Sequence, residues 1–308
     1  MTKIGIELGI KASFDAILKA SKIADERSVD YFLVPETHPE SLGVDAFETI
    51  LQIVGNIKNV TVGTGIVNVF SREKEEILKS SSQIFQNSNG KFVLGIGTSA
   101  PIIIEKLWNL KFQKPVSRLV EYTEFIKSQY TGPIFWAAVG KHTTKLAAKH
   151  ADGVIFFLKP KNQISNFIEM IHDELEVLGK DKDDFETISI LPISFDDSRI
   201  TAKMTIAGYI GGNEFYGKAL INEGFQKDVS DIREAFSKFG LKEASKKVSS
   251  SLVKELAIVG SVEECKEKIL EIEKTTKLKT VILGFDLPEE KYDDVFFKKL
   301  DKLLGMLK

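Results

Sequence analysis

The feature that most constrains the fold is an alternation. Short, nearly continuous apolar runs recur along the chain at Ile4–Leu8, Tyr31–Val34, Val60–Val67, Phe92–Ile96, Ile134–Ala138, Val154–Leu158, Ile188–Ile193 and Thr280–Phe285. Between them lie stretches with apolar residues at helical spacing: Phe14–Arg27, Val44–Val54, Lys74–Phe85, Val116–Gln129, Thr143–His150, Gln163–Leu178 and, last, Tyr292–Met306. A strand that is apolar along its whole length is buried on both faces, as a parallel strand covered by helices is. Eight such units predict an α/β fold, a closed (β/α)8 TIM barrel. An open doubly wound sheet would favour fewer strands and a glycine-rich first turn. Here the first turn is Leu8-Gly-Ile-Lys-Ala-Ser13, which lacks the dinucleotide fingerprint.

The 308 residues exceed what a bare barrel needs, and the surplus falls after strand seven. Residues 196–279 hold helical pieces (Thr201–Ile210, Asn213–Asn222, Asp231–Phe239, Glu243–Leu256, Val262–Thr275), with Gly211-Gly212 and Gly240 as turns. They predict a helical insertion within a single domain over residues 1–308.

Charge and composition exclude several classes of partner. A net charge of −2 supplies no footprint for nucleic acid or an anionic membrane. No apolar run approaches the roughly 20 residues that cross a bilayer. The opening Met1-Thr-Lys-Ile-Gly-Ile-Glu7 enters a strand directly, without the basic region and apolar core of a signal peptide. A lone cysteine, Cys265, rules out an internal disulfide framework and reads as a buried structural thiol. The expectation is a cytoplasmic protein acting on a small molecule, with no nucleic-acid or membrane partner.

In a barrel of this kind the residues just past each strand build the site. Strand one ends at Glu7, strand two at Glu36-Thr37-His38, strand three at Asn68, strand four at Gly95-Ile96-Gly97-Thr98-Ser99, and strand five at Ala138-Val139-Gly140. Glu7 is placed to face the mouth, where desolvation raises a carboxyl pKa and suits it to proton handling. A buried acid paired with a structural Lys or Arg accounts for the same residue. Glu36 and His38, beside Pro35 and Pro39, also read as solvated turn residues. Val139-Gly140 at a strand-to-helix junction could offer N–H groups and a helix dipole to a phosphate, with Lys141, His142, Thr143 and Thr144 as further donors. A glycine is also common there for steric reasons alone. His142, His150 and His172 have no metal-ligand spacing with carboxylates, so no metal is expected.

Strand three is the most unusual of the series. Thr61-Val-Gly-Thr-Gly-Ile-Val-Asn-Val-Phe-Ser71 places Gly63 and Gly65 where Val or Ile would pack better. Glycine inside a strand marks a bulge, a distorted peptide or a close approach by another group. A shelf for a planar ligand and a plain barrel bulge both fit.

These pieces resemble, in order, the bacterial-luciferase-like superfamily, and within it the F420 (deazaflavin)-dependent methylenetetrahydromethanopterin reductases of archaea. The matching segments are Gly5-Ile-Glu7, Gly63-Thr-Gly-Ile-Val-Asn68, Val93-Leu-Gly-Ile-Gly97, Lys114-Pro-Val-Ser117, Ala151-Asp-Gly-Val154 and Gly260-Ser-Val-Glu-Glu264. The resemblance implies a cofactor at the carboxyl ends of the strands and a non-prolyl cis peptide in strand three, which carries over to Gly65-Ile66. It implies a hydride-transfer role near Glu7, with His38 as a possible stand-in for a family histidine. Cofactor contacts carry over to Glu36, Thr37, Gly65, Ile66, Asn68, Gly97, Val139 and Gly140, and a homodimer or higher oligomer is implied as well.

Several positions depart from the family pattern. An Asp-His pair aligns with Glu36-Thr37, Pro-Tyr becomes Val69-Phe70, and Gly-Pro-Gly-Asp becomes Gly97-Thr-Ser-Ala100. Small polar residues after strand six become Phe156-Phe157-Leu158, and a segment of the relatives is missing between Gln129 and Gly132. That gap and the apolar replacements bear on the pterin and cofactor contacts. The resulting expectation is an F420-dependent oxidoreductase passing hydride to a small carbon substrate. The alternatives are an FMN-dependent luciferase-like monooxygenase and a non-catalytic barrel serving binding or assembly.

Overall fold

A computed structural model describes residues 2–36, 45–195 and 199–308. In chain order the strands are β1 (Lys3–Leu8), β2 (Tyr31–Val34), β3 (Thr61–Thr64), β4 (Val67–Asn68), β5 (Phe92–Gly97), β6 (Ile134–Ala137), β7 (Gly153–Phe157), β8 (Glu186–Ser194), β9 (Ile258–Val259) and β10 (Thr280–Phe285). Each barrel strand pairs in parallel with the next, and β10 pairs with both β1 and β8, so the sheet closes. β3 and β4 are two halves of one barrel strand, which makes eight strand positions around the barrel, as the apolar runs predict.

Alternation along the strands sorts side chains into two cores. Ile4, Ile6, Phe32, Val62, Leu94, Trp136, Val154, Leu191 and Leu283 point outward into the layer shared with the helices. Tyr31, Leu33, Val93, Phe135, Ile155, Ile188, Ile190 and Ile282 fill the barrel interior. Gly63 belongs to this interior layer, and a Cβ there would lie 2.4 Å from Val93 Cγ2. Its absence of a side chain is a packing requirement of the barrel. The amino end is closed by Lys3, which bonds Glu186 at 2.6 Å, while the Thr280 hydroxyl donates to the same carboxylate at 2.7 Å.

The outer ring is α1 (Phe14–Glu26), α2 (Ala46–Ile53), α3 (Lys74–Asn87), α4 (Pro115–Lys127), α5 (Lys141–His150) and α6 (Lys161–Val177), completed near the end of the chain. Between β8 and β9 lie α7 (Ile200–Gly212), α8 (Glu214–Asn222), α9 (Gln226–Phe239), α10 (Leu241–Lys246) and α11 (Ser250–Leu256), followed by α12 (Val262–Thr275) and α13 (Asp294–Leu307).

The insertion is shorter than residues 196–279. Helices α7 to α11 share a hydrophobic cluster of their own, including Ile206, Ile210, Leu220, Ile232 and Leu252. By contrast Val262, Cys265, Ile269 and Ile272 of α12 pack into the main core, so α12 is a helix of the outer ring. The predicted helix Glu243–Leu256 is two helices, because the Ser249 hydroxyl accepts from Leu252 N and starts α11 afresh. Gly211 and Gly212 lie in the last turn of α7, not in a loop; a Cβ on Gly211 would sit 2.3 Å from the Phe236 ring of α9. Gly240, at φ +80, is the turn that was expected. Cys265 is fully enclosed, and burial pushes its thiol up to about 11. Among the described residues no helix is long and apolar enough to cross a membrane.

Candidate active site

At the carboxyl end of the barrel the third strand is bulged. Gly63 pairs with Val93 and Val67 pairs with Ile96, so three residues (64–66) stand opposite two (94–95). One extra residue in one strand is a β-bulge. Thr64 bridges the gap: its hydroxyl donates to Gly95 O at 2.7 Å and accepts from Gly95 N at 2.9 Å. The next peptide, Gly65-Ile66, is cis, at the position the family resemblance implies. Ile66 then packs over Gly97, where a Cβ would lie 3.0 Å from Ile66 Cδ1 and 3.0 Å from Ala137 Cβ. Gly97 therefore serves as room for Ile66 in the base of the bulge.

Glu7 stands beside this bulge. Its backbone registers with Gly284 of β10 and Leu33 of β2, and its side chain points inward. Oε2 is enclosed and has no hydrogen-bond partner among the described residues. A Cβ on Gly65 would come within 2.3 Å of that oxygen, so the missing side chain at Gly65 is what admits the carboxyl group. Burial, reinforced by the nearby Asp286 carboxylate, holds the Glu7 pKa well above the ordinary glutamate range. Asp286 itself is raised by burial, against the Thr205 hydroxyl that donates to it at 3.1 Å.

The insertion supplies the opposite wall. Tyr209 of α7 and Tyr216 of α8 meet edge-on at 5.4 Å, and both approach Phe157 at the end of β7, at 4.7 and 6.0 Å. Tyr209 is 40% exposed, yet burial followed by the neighbouring Tyr216, Asp286 and Glu7 raises its phenol strongly. Tyr209 is therefore reached by solvent on one side of this wall. Burial and Glu7 raise Tyr216 likewise. Sequence reasoning missed both tyrosines. The available signal was α7 itself, whose Ile-Thr-Ala-Lys-Met-Thr-Ile-Ala-Gly-Tyr-Ile is apolar on nearly every side, as a helix sandwiched between two layers is.

Across the mouth, β6 leads into α5 through Val139 and Gly140. Gly140 is the N-cap in extended backbone, and no side chain caps the helix. The hydroxyls of Thr143 and Thr144 both donate to Gly140 O, at 3.0 and 2.9 Å, so neither is a free donor at the helix start. A Cβ on Gly140 would meet nothing within 4 Å.

Two predicted contacts have their side-chain oxygens engaged within the chain. Glu36 is turned inward with its side chain 2% exposed: Oε1 accepts from Arg72 Nε at 2.8 Å, and Oε2 accepts from Arg72 Nη2 at 3.0 Å and Ala46 N at 3.2 Å. Arg72 also bonds Asp45 at 2.7 Å and pairs with Glu76. Glu36 is thus one acid of a buried clamp, and not the solvated turn residue that its neighbouring proline suggested. Asn68 is 7% exposed, and its side-chain oxygen accepts from Phe70 N at 3.0 Å and Ser71 N at 2.9 Å. That oxygen closes an Asx-type turn and is not offered to a ligand. Thr37 and His38 lie outside the described residues. Glu7, Gly65, Ile66 and Gly97 are gathered on one side of the mouth, and Val139 and Gly140 begin the neighbouring α5.

The missing segment of the relatives also has a location. Residues 128–133 join the end of α4 to the start of β6, and Tyr130 there packs edge-on against Phe85 at 5.5 Å. A connection from helix end to strand start lies on the amino face of a parallel barrel, opposite the mouth.

Comparison with known proteins agrees with this geometry. A family model described as luciferase-like monooxygenase matches residues 1–132 and 127–277, two segments that meet at that shortened connection. The chain is 24% identical to a 5,10-methylenetetrahydromethanopterin reductase of Archaeoglobus fulgidus, over 98% of this chain and 97% of the relative. That alignment runs over 336 positions, more than the 308 residues present here, so the relative has residues this chain lacks. Among solved structures, a coenzyme F420-dependent tetrahydromethanopterin reductase of Methanopyrus kandleri superposes with a TM-score of 0.81 at 17% identity, covering 99% of this chain and 97% of the other. The oxygenating constituent of 3,6-diketocamphane monooxygenase of Pseudomonas putida, solved with FMN, superposes with a TM-score of 0.69 at 12% identity, covering 99% and 97%. With its bulged third strand, its open carboxyl mouth and a family match over most of its length, the chain belongs to the luciferase-like monooxygenase family.

Proposed function

We propose that this protein is an F420 (deazaflavin)-dependent oxidoreductase that passes a hydride between the reduced cofactor and a small carbon substrate, in the manner of a methylenetetrahydromethanopterin reductase. The observation that carries it is the unpartnered Glu7 Oε2 set against the cis Gly65-Ile66 bulge at the open end of the barrel. A buried polar atom without a partner is costly unless something else satisfies it, and a ligand in the mouth would do so. The coenzyme F420-dependent reductase of Methanopyrus kandleri, which shares this fold, supports F420 as the cofactor.

A bound deazaflavin would supply the hydride, while the protein supplies position, dryness and protons. Gly65 and Ile66 would back the ring, and the N–H groups at Val139 and Gly140 would receive the phosphate. Phe157, Tyr209 and Tyr216 wall the cleft and exclude water from it. Burial and Asp286 both disfavour the charged form of Glu7, so it holds its proton to a higher pH than an ordinary glutamate does. Held as a neutral acid, it donates a hydrogen bond or a proton from its carboxyl group to the substrate.

A second reading, an FMN-dependent monooxygenase, draws on the FMN-containing neighbour of the same fold. One titration separates the two. The purified protein is mixed with F420 and with FMN while cofactor fluorescence and absorbance are followed. Binding of F420 is expected; tight binding of FMN alone replaces the first reading by the second. Binding of neither leaves a barrel used for binding or assembly.

A further inference from the structure

The end of β7 carries a buried cation without an anion. Lys159 is 3% exposed. Its Nζ donates to Val139 O at 2.8 Å and stands 3.6 Å from the centroid of the Phe167 ring of α6. It forms no ion pair among the described residues; Glu223, just past α8, and Lys141, in the first turn of α5, are the charges that reach it at longer range. The preceding residue, Leu158, is in the left-handed region at φ 50, a conformation that costs an L-residue energy and turns the chain back toward the Val139 turn.

Buried charges are normally paired, and an unpaired one tends to give up its charge. Burial does pull the Lys159 amine down, to about 8, which leaves it mostly cationic at neutral pH. An ammonium kept charged in an apolar setting, with no carboxylate in contact with it among the described residues, points to an anion brought by a ligand. The peptide it holds is suitably arranged. In a trans peptide the C=O and the following N–H point in opposite directions, so fixing Val139 O on Lys159 turns Gly140 N–H away from the ammonium. Neither Val139 N–H nor Gly140 N–H donates to any described residue. The uncapped first turn of α5 adds further free N–H groups beside them.

We propose that Lys159 is the positioning residue of an anion site: from behind the Val139–Gly140 turn it fixes that peptide and supplies the positive charge that holds a cofactor phosphate on the first turn of α5. This rests on the cofactor reading above for the identity of the ligand, but not for the anion site itself. It also accounts for the apolar Phe157 and Leu158, where the related reductases have small polar residues. The charge sits behind the turn, not in the strand end.

The full chain, as wild type, Lys159→Met and Lys159→Gln, is titrated with inorganic phosphate while the amide signals of Gly140 and Lys141 are followed by NMR. Thermal unfolding checks that each variant is folded. Wild type is expected to bind phosphate at those amides about tenfold more tightly than either variant. Raising the pH from about 7.5 to about 9.5 discharges Lys159, so wild-type affinity falls while that of both variants stays flat. In parallel, FMN is compared with riboflavin, and F420 with its phosphate-free riboside. The substitutions should weaken the phosphate-bearing member of each pair about tenfold and the phosphate-free member less than about twofold. Equal phosphate affinity in all three proteins, or equal loss for both members of a pair, overturns the assignment. Lys159-dependent phosphate binding with no binding of either cofactor upholds it and refutes the cofactor reading instead.

Discussion

At the scale of single residues, two glycines of the bulge differ in what they make room for, and the difference is measurable. A Cβ at Gly65 meets the tip of a side chain, Glu7 Oε2 at 2.3 Å, which can swing aside. At Gly95 it meets backbone, Thr64 O at 2.1 Å, which cannot. Gly65→Ala should therefore cost only about 1 kcal/mol of stability but displace the Glu7 carboxyl and abolish most activity, whereas Gly95→Ala should cost about 3 kcal/mol or more. Urea unfolding of the pair tests this, and equal stabilities would contradict it. For Glu7 the direction of the pKa shift decides the pH dependence. Its folded pKa lies well above the ordinary glutamate range, so the folded state keeps a proton that the unfolded chain releases. The stability this contributes is fully present below the unfolded pKa and is lost as pH rises through the folded one. Glu7→Gln should remove that decline, seen as a flatter stability curve from acid to neutral pH. The same variant should lower hydride transfer about 100-fold with little change in cofactor affinity, since it deletes a proton and not a contact surface. Unchanged transfer rates would remove Glu7 from the mechanism.

Beside the strand ladders, several elements are joined by the Arg72 clamp. Arg72 follows β4 and reaches Glu36 past β2, Asp45 at the N-cap of α2 and Glu76 in the first turn of α3. Its backbone oxygen accepts from the Tyr122 hydroxyl at 3.1 Å, which also brings α4 into the group. Burial raises the Glu36 carboxyl despite the pull of Arg72, so Glu36 without its partner would be a buried acid left with the Ala46 N–H alone. Arg72→Met should cost about 3 kcal/mol or more, and the double variant Arg72→Met/Glu36→Gln should recover part of that loss. Denaturant unfolding of the four proteins in the cycle gives the coupling. The Glu36→Gln arm has a second use: F420 affinity within about twofold of wild type is expected if the residue belongs to the clamp. A large loss would return Glu36 to the cofactor site.

Over the whole molecule, what was legible in the sequence is what depends on near neighbours along the chain. Apolar runs such as Phe92–Ile96 and Ile134–Ala138 state their own burial, so the barrel and its strand order could be read directly, and Gly63-Thr-Gly65 announced a bulge. Partners distant in sequence were hidden. Nothing near Glu36 says that Arg72 lies against it, nothing near Asn68 says that its oxygen is spent on Phe70 and Ser71, and nothing near Lys159 places Val139 at its tip. The extent of the insertion was hidden for a related reason: α11 and α12 both read as amphipathic helices, and only the core each one joins tells them apart. That division has a physical consequence. Helices α7 to α11 carry a separate apolar cluster and are tied to the barrel through few strand contacts, chiefly the two-residue β9 against β8. A unit with its own small core opens more readily than the strands of a closed barrel. Amides of α7–α11 should therefore exchange with solvent deuterium well before those of β1, β5 and β10. Because Tyr209 and Tyr216 form one wall of the cleft, a ligand bound there should slow exchange in α7 and α8 more than in α10 and α11. Uniform exchange across insertion and barrel would mean that the two cores unfold as one. Protection by ligand confined to the barrel strands would mean that the tyrosine wall does not close on the ligand.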